Sequence, residues 1–134
     1  MLRKQTSEKN PADWFAFAED RLKCADSLWK HEGLTAAGIE ILQEASERYL
    51  KGYLVAKGWE LVRTHDLERL VKEAAIFSPE FAQFRKFALE LTEDFFAQHY
   101  PGEDTTETGQ NYVVLRKEAG EMIQLLQREL PNYF

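Results

Sequence analysis

The sequence predicts an all-α, up-and-down antiparallel bundle of about five helices. Apolar residues recur at spacings of three and four along most of its 134 positions, and capping signals divide the chain into segments of helix length. The alternation of apolar and polar residues that is typical of strands is almost absent. Short loops without low-complexity sequence join the segments, so consecutive helices are expected to pack antiparallel. We expect residues 1–9 to form a flexible N-terminal tail and residues 10–134 to form one domain.

The first two helices have clear boundary signals. Asn10 followed by Pro11 predicts the first helix start, because Asn caps a helix N-terminus and Pro fits its first position. This helix is expected to end near Gly33. The second is predicted to start at Thr35 and to end before Gly58, which supplies a left-handed residue after the last turn. The expected apolar stripe of the first helix consists of Trp14, Phe17, Ala18, Leu22, Ala25, Leu28 and Trp29.

Two further start signals follow along the chain. Thr64 is expected to cap a short third helix. Ser78, Pro79 and Glu80 repeat the pattern of cap, Pro and acid, and predict the start of a long fourth helix rich in Phe. The aromatic side chains of that helix, over residues 81–96, are expected to lie in the core or in a dimer interface.

The fourth helix is expected to stop at His99, before the turn at residues 100–102. Asp104, with Glu107 three residues later, resembles a capping box for the last helix. That helix is predicted to continue almost to the end of the chain.

The composition limits the classes of function. The chain has 17 Lys and Arg against 23 Asp and Glu, so its formal charge is −6, which disfavours non-specific binding of nucleic acid by the whole surface. The balance is local, because residues 48–72 hold six basic and three acidic side chains and are the net-positive part of the chain. No apolar run has the length of a signal peptide or a membrane span, so we expect a cytoplasmic protein without membrane contact.

Several enzyme and metal-binding motifs are missing from the sequence. No Glu lies three positions before a His, as di-iron bundles require, and no two His are four apart, as in zinc proteases. The Gly-rich phosphate loop and the G-x-S-x-G elbow are also absent. Cys24 is the single cysteine, and it is expected to be a buried structural thiol. We therefore expect no metal and no cofactor.

One part of the chain carries a more specific pattern. It consists of Gln43-x-Ala45-x-Glu47-x3-Lys51-Gly52, Lys57-Gly58 and Arg63-Thr64-His65-Asp66-Leu67, with Trp14 and Ala25 before it and Tyr100-Pro101 after it. This arrangement resembles the HEPN domain family, whose name stands for higher eukaryotes and prokaryotes nucleotide-binding. The resemblance extends from about Asp13 to Leu130 and implies a HEPN-like bundle.

The resemblance also implies expectations about assembly and activity. Family members commonly form homodimers, and prokaryotic members are frequently encoded beside a minimal nucleotidyltransferase in toxin-antitoxin modules. Many are metal-independent RNases with an Arg followed, after four to six intervening residues, by a His. In this chain one residue separates Arg63 from His65 and thirteen separate Arg85 from His99, so the RNase motif is absent. We therefore expect no catalytic residue.

Glu47 and Lys51 are four residues apart on a predicted helix and have two interpretations. In the first, they form a solvated ion pair worth about 0.3 to 0.5 kcal/mol. In the second, Lys51 and the nearby Arg48 present positive charge to a phosphate.

Further candidates surround the start of the third helix. The free N–H groups of a helix start form an anion site, which Arg63 and His65 flank while Thr64 caps it. His65 has a second interpretation, in which it packs at the helix end and donates to a carbonyl. His99 and Tyr100 are expected mainly to terminate the fourth helix.

The expected function is binding of a nucleotide or of nucleic-acid phosphate through Arg48, Lys51, Arg63 and His65, with Thr64 holding the helix start. Glu47, His99 and Tyr100 are the accessory candidates. The protein is expected to be non-catalytic and homodimeric, and a nucleotidyltransferase chain is the candidate partner. Two other classes remain open: a divergent metal-independent RNase toxin, and a helical interaction module without a nucleotide ligand.

Overall fold

The computed structural model describes residues 5–99 and 109–134, and these residues form an all-α antiparallel bundle. The helices are α1 (Pro11–Glu32), α2 (Ala36–Ala56), α3 (Leu67–Phe77), α4 (Arg85–His99) and α5 (Gly109–Glu129), with 3₁₀ helices at Pro79–Phe84 and Pro131–Tyr133. The described residues contain no strand. The predicted fold class is therefore confirmed. The expected turn at Tyr100 and Pro101 and the expected capping box of Asp104 and Glu107 lie outside the described residues.

Helix α2 lies at the centre of the bundle. It packs along α1 over most of its length and also contacts α3, α4 and α5. Tyr49 and Tyr53 are buried on this helix. Because neighbours surround α2, four of its polar residues are buried as well, namely Gln43, Ser46, Glu47 and Lys51.

Helices α1 and α2 approach each other closely at Gly52. A Cβ atom at this position would lie 2.5 Å from Cε1 of Phe15 and 2.9 Å from Cβ of Trp14. The Phe15 ring is buried and also packs against Tyr49 and Phe134. The missing side chain at Gly52 therefore lets α1 lie close enough to place Trp14 beside the centre of α2.

Three side-chain contacts connect α5 to the rest of the bundle. The Tyr53 hydroxyl donates to Oε1 of Glu129 at 2.7 Å, and the Ser78 hydroxyl donates to Oε2 of the same carboxylate at 2.6 Å. Burial, followed by the contact with Glu129, raises the pKa of Tyr53. At the other end of α5, the ring of Tyr112 stacks on Trp29 of α1 with centroids 4.9 Å apart.

The predicted boundaries of α1 and α2 are confirmed. The side chains of Asn10 and Thr35 each accept a hydrogen bond from a backbone N–H in the first turn of their helix. Gly33 and Gly58 have φ values of 72° and 85°, a left-handed region that suits glycine at the end of a helix.

The predicted cap of the third helix is wrong. Helix α3 begins at Leu67, and Asp66 caps it by accepting a hydrogen bond from the N–H of Arg69 at 3.2 Å. Thr64 instead accepts from the N–H of Asp66 at 3.1 Å and so orders the turn before the helix. Thr and Asp are both good caps, and the backbone turn at Thr64 leaves the capping position to Asp66.

The predicted start of the fourth helix is also wrong. Ser78 makes no side-chain cap, and the residues after it form the 3₁₀ helix Pro79–Phe84 before α4 begins at Arg85. The Ser78 hydroxyl is turned toward Glu129 instead. The aromatic side chains of this region do reach the core, where Phe81, Phe84 and Phe87 are buried.

Two expectations about α1 are corrected. Phe17 was expected on the apolar stripe but is 49% exposed, while Phe15 is buried in its place. Cys24 was expected to be buried but is exposed. Both differences follow from the rotation of α1 about its axis, which the packing of Phe15 against Gly52 determines.

Candidate functional site

A cavity of about 380 Å³ lies between α1, α2, α4 and the segment before α3. Its size is at the lower end of the range that is usual for small-molecule sites. Trp14 comes from α1, Thr92 and Phe95 from α4, and His65 from the segment before α3. The lining residues from α2 are Glu40, Gln43, Glu44, Glu47, Arg48 and Lys51.

Helix α2 supplies the polar floor of this cavity. Gln43, Glu47 and Lys51 are spaced by four, so they lie on one face of the helix, one turn apart. All three are buried under the neighbouring elements. The interpretation of Glu47 and Lys51 as a solvated pair is therefore wrong, because packing of the other elements against α2 removes both residues from water.

The carboxylate of Glu47 is the centre of the polar contacts. Its Oε2 lies 3.1 Å from Nδ1 of His65 and 3.9 Å from Nζ of Lys51, and its Oε1 accepts from Nε2 of Gln43 at 3.4 Å. Burial raises the pKa of Glu47, although the contacts with His65 and Lys51 oppose this shift. Burial also lowers the pKa of Lys51, with Glu47 acting in the opposite direction.

His65 closes one side of the cavity while its ring remains in water. Its side chain is 91% exposed, but its backbone oxygen accepts from Gln43 at 3.4 Å and its Nδ1 contacts Glu47. Because a carboxylate oxygen only accepts, Nδ1 is the donor in this contact and Nε2 faces away from Glu47. The interpretation that His65 donates to a carbonyl is replaced by this contact with a carboxylate.

Aromatic and cationic groups face each other in the cavity wall. The ammonium of Lys51 lies over the Trp14 ring, 5.8 Å from its centroid, which is within the range of a cation–π contact. Arg48 uses Nη1 to donate to the backbone oxygen of Glu44 at 3.3 Å, and the same nitrogen lies 3.7 Å from the Glu44 carboxylate.

Two buried polar atoms in the residues that line the cavity have no hydrogen-bond partner within residues 5–99 and 109–134. They are Oε1 of Gln43 and Oγ1 of Thr92. Buried polar groups are usually paired, and leaving one unpaired costs about 1 to 3 kcal/mol. This part of the protein therefore retains hydrogen-bonding capacity that its own side chains do not use.

Comparison with known families identifies the fold. A sequence model of the HEPN domain matches residues 11–129, which is most of the chain. The chain belongs to the HEPN domain family. No curated protein and no solved structure matches it.

The HEPN domain brings together some, but not all, of the predicted site residues. Arg48, Lys51 and His65 line the cavity with Glu47. Arg63 and Thr64 lie outside its lining, and the guanidinium of Arg63 forms an ion pair of 2.7 Å with Glu8. The side chain of His99 and all of Tyr100 lie outside the described part of the chain.

Thr92 and Phe95 of the HEPN domain were not predicted as site residues. They are three apart on α4, so they share a face of that helix. In the sequence, a threonine among the Phe residues of the fourth helix indicates that one face of this helix is partly polar. The sequence does not indicate which other helix that face contacts.

The described residues of the HEPN domain offer no metal centre. Residues 5–99 and 109–134 contain no group of three or more His, Cys, Asp or Glu that could hold a metal ion. Within the same ranges, no helix combines the length and the apolarity that a membrane span needs.

Replacing Glu47 with Gln is expected to change how the stability of the HEPN domain depends on pH. Since burial raises the pKa of Glu47 above its ordinary value of 4.5, the folded protein holds this proton more tightly than the unfolded chain does. The stabilising contribution of Glu47 is therefore fully present below the unfolded pKa and is lost as pH rises through the folded pKa.

Urea denaturation between about pH 4 and pH 8 measures this effect. The free energy of unfolding of the wild type minus that of Glu47→Gln should decrease as the pH rises. A difference that increases or stays constant over the same range would contradict the assigned role of burial.

Proposed function

We propose that this HEPN domain binds a nucleotide, or the sugar-phosphate of a nucleic acid, in the cavity beside Trp14 and does so without catalysis. The observation that carries the proposal is the meeting of Trp14 and Phe95 with Arg48 and Lys51 in one cavity wall. Aromatic rings suit a nucleobase, and a guanidinium and an ammonium suit a phosphate. These are the two chemical halves of a nucleotide.

Lys51 and Arg48 have N–H donors that can bind a phosphate. Lys51 lies 3.9 Å from the Glu47 carboxylate, which is longer than a hydrogen bond, and within residues 5–99 and 109–134 its N–H groups make no hydrogen bond, so they can serve a ligand. In Arg48, both contacts with Glu44 use Nη1, and Nε and Nη2 have no partner among residues 5–99 and 109–134.

Arg63 adds positive charge near Lys51, and His65 adds a ring that lines the cavity. The charge of Arg63 helps to lower the pKa of Lys51, which indicates that the two cations are near each other. In this proposal Thr64 acts indirectly, by ordering the turn that holds His65 beside Glu47. Glu47 positions Lys51 and His65 rather than contacting the phosphate.

Polar side chains that line the cavity can form hydrogen bonds with the base and the ribose of the ligand. The buried atoms Oε1 of Gln43 and Oγ1 of Thr92 have no partner in the described part of the chain, and both belong to residues that line the cavity, so in this proposal they bond the base or the ribose. A ligand that pairs them removes a desolvation cost that the protein alone bears.

The family resemblance supports two further parts of the proposal. These are a homodimer and a nucleotidyltransferase chain as partner, encoded together as a toxin-antitoxin-type module. Light scattering of the purified protein, alone and mixed with the product of a neighbouring nucleotidyltransferase gene, measures both associations.

Titration with ATP and with a short single-stranded RNA, at low and high salt, tests the binding function. The wild type should bind, and its affinity should fall with salt because a phosphate contact releases counterions. The double variant Arg48→Gln with Arg63→Gln should bind at least tenfold more weakly. This variant leaves the buried pair of Glu47 and Lys51 in place. Thermal unfolding followed by circular dichroism checks that it is folded under the conditions of the titration.

The matched control is Arg69→Gln with Arg85→Gln, which removes two cations that do not line the cavity. It should bind as the wild type does. Absence of binding by the wild type, or equal binding by both double variants, would overturn the proposed function.

A further inference from the structure

A second cavity of about 290 Å³ lies next to the first, and the two share Trp14 and Arg48 in their walls. Residues 6–8, Asp13 and Phe17 complete the wall of this second cavity. The proposed function uses only the first cavity. Trp14 and Arg48 therefore border both the first cavity, in which the proposed nucleotide binds, and the second cavity, for which no ligand has been proposed.

The second cavity has a defined wall on its N-terminal side. The indole Nε1 of Trp14 donates to the backbone oxygen of Glu8 at 2.8 Å, and the N–H of Ser7 donates to Oδ2 of Asp13 at 3.0 Å. The ion pair of Glu8 with Arg63 joins the same segment to the residues before α3. These contacts hold residues 7 and 8 along the start of α1.

Phe17 gives the second cavity an aromatic surface. Its side chain is 49% exposed although it is large and apolar, and it lines the second cavity and not the first. An exposed ring beside a cavity can stack on a nucleobase without any rearrangement of the core. Each cavity thus has its own aromatic group, Phe95 in the first and Phe17 in the second.

Arg48 lies between the two aromatic groups. It lines both cavities, its side chain is 27% exposed, and its Nε and Nη2 have no partner in the part of the chain that the structure describes. A planar guanidinium with free donors suits a phosphate diester. A cation that serves both cavities corresponds to a phosphate that joins two nucleosides.

We infer that the two cavities together bind two consecutive nucleoside units joined by a phosphodiester, with one base in each cavity and the linking phosphate at Arg48. The inference rests on the proposed function and defines its ligand class. Each cavity is at or below the lower end of the usual range of about 300 to 1,000 Å³ for a small-molecule site, so each suits one unit. A linked pair binds more tightly than a single unit because the second contact is intramolecular.

Calorimetric titration with AMP and with the 5′-phosphorylated dinucleotide pApA tests the inference. The dinucleotide should bind at least tenfold more tightly than AMP. Phe17→Ala should weaken binding of pApA by about fivefold or more, which corresponds to the loss of one stacked base, and should leave binding of AMP unchanged. Phe77→Ala is the matched control, because Phe77 is 43% exposed and lines neither cavity.

The outcomes separate this inference from the proposed function. Equal affinity for AMP and pApA, or an equal effect of Phe17→Ala and Phe77→Ala, would overturn the inference and leave the proposed function standing. Absence of binding of both ligands would overturn both. A longer oligoadenylate that binds as tightly as pApA would support a nucleic-acid strand as the source of the ligand, and one that fails to bind would support a free dinucleotide.

Discussion

The Lys51→Met variant is expected to have a free energy of unfolding about 3 kcal/mol lower than the wild type at neutral pH. Lys51 is the cationic partner of Glu47, and both side chains are buried, with exposed fractions of 10% and 7%. Removing the ammonium leaves the carboxylate in a site with little water, where His65 and Gln43 are its remaining hydrogen-bond partners among the residues that the structure describes. Chemical denaturation measures the change.

Lys23→Met is the matched control for this prediction. Lys23 pairs with Glu19 at the same spacing of four residues, but both side chains are more than half exposed. Its loss should cost about 0.5 kcal/mol or less. The cost of Lys51→Met should also become smaller at acidic pH, because Glu47, whose pKa burial raises, then takes up a proton. Equal costs for the two variants would show that burial does not distinguish the pairs.

The Gly52→Ala variant is expected to lower the free energy of unfolding by about 3 kcal/mol, at the upper end of the usual cost of overpacking. A methyl group at this position would lie 2.5 Å from the Phe15 ring and 2.9 Å from Cβ of Trp14. Cβ of Trp14 is attached directly to the backbone, so α1 itself must move to accept the methyl group. Thermal unfolding followed by circular dichroism measures the loss.

Gly120→Ala is the control for the effect of a glycine substitution within a helix. Gly120 lies inside α5, where the described group that an added Cβ would meet is Nη1 of Arg116, at 3.2 Å. The other two nitrogens of this guanidinium pair with Asp26, so the shift that it must make is small. Alanine favours helix over glycine, which offsets the cost of this shift, so the variant should lose much less stability than Gly52→Ala. If Gly52→Ala were as stable as Gly120→Ala, the close approach of α1 and α2 would be contradicted.

Local signals in the sequence were sufficient to predict the class of fold and the first helices. Caps such as Asn10 and Thr35 act through hydrogen bonds to residues at most three positions away, so the local sequence determines where these helices begin. Thr64 shows the limit of the same rule. Thr64 and Asp66 are both favourable caps two residues apart, and the path of the backbone between α2 and α3 determines which of them is used.

The burial of the site could not be predicted from spacing. The sequence shows the same acid-first pattern at Glu19 with Lys23 and at Glu47 with Lys51, yet only the second pair is buried. The two pairs differ in the packing of α1 and α4 against α2. This packing depends on contacts between residues that are far apart in the sequence. Thr92 was not predicted as a site residue for the same reason. It lies more than forty residues along the chain from the α2 side chains that line the same cavity.

The three tryptophans have separate surroundings, and this separation has a consequence for spectroscopy. Trp14 borders both cavities, Trp29 stacks on Tyr112 between α1 and α5, and Trp59 packs against the core just after α2. Versions of the protein that each retain one indole would therefore give three independent emission signals. The first would report entry of a ligand, the second would report docking of the last helix, and the third would report the order of the segment that leads to His65.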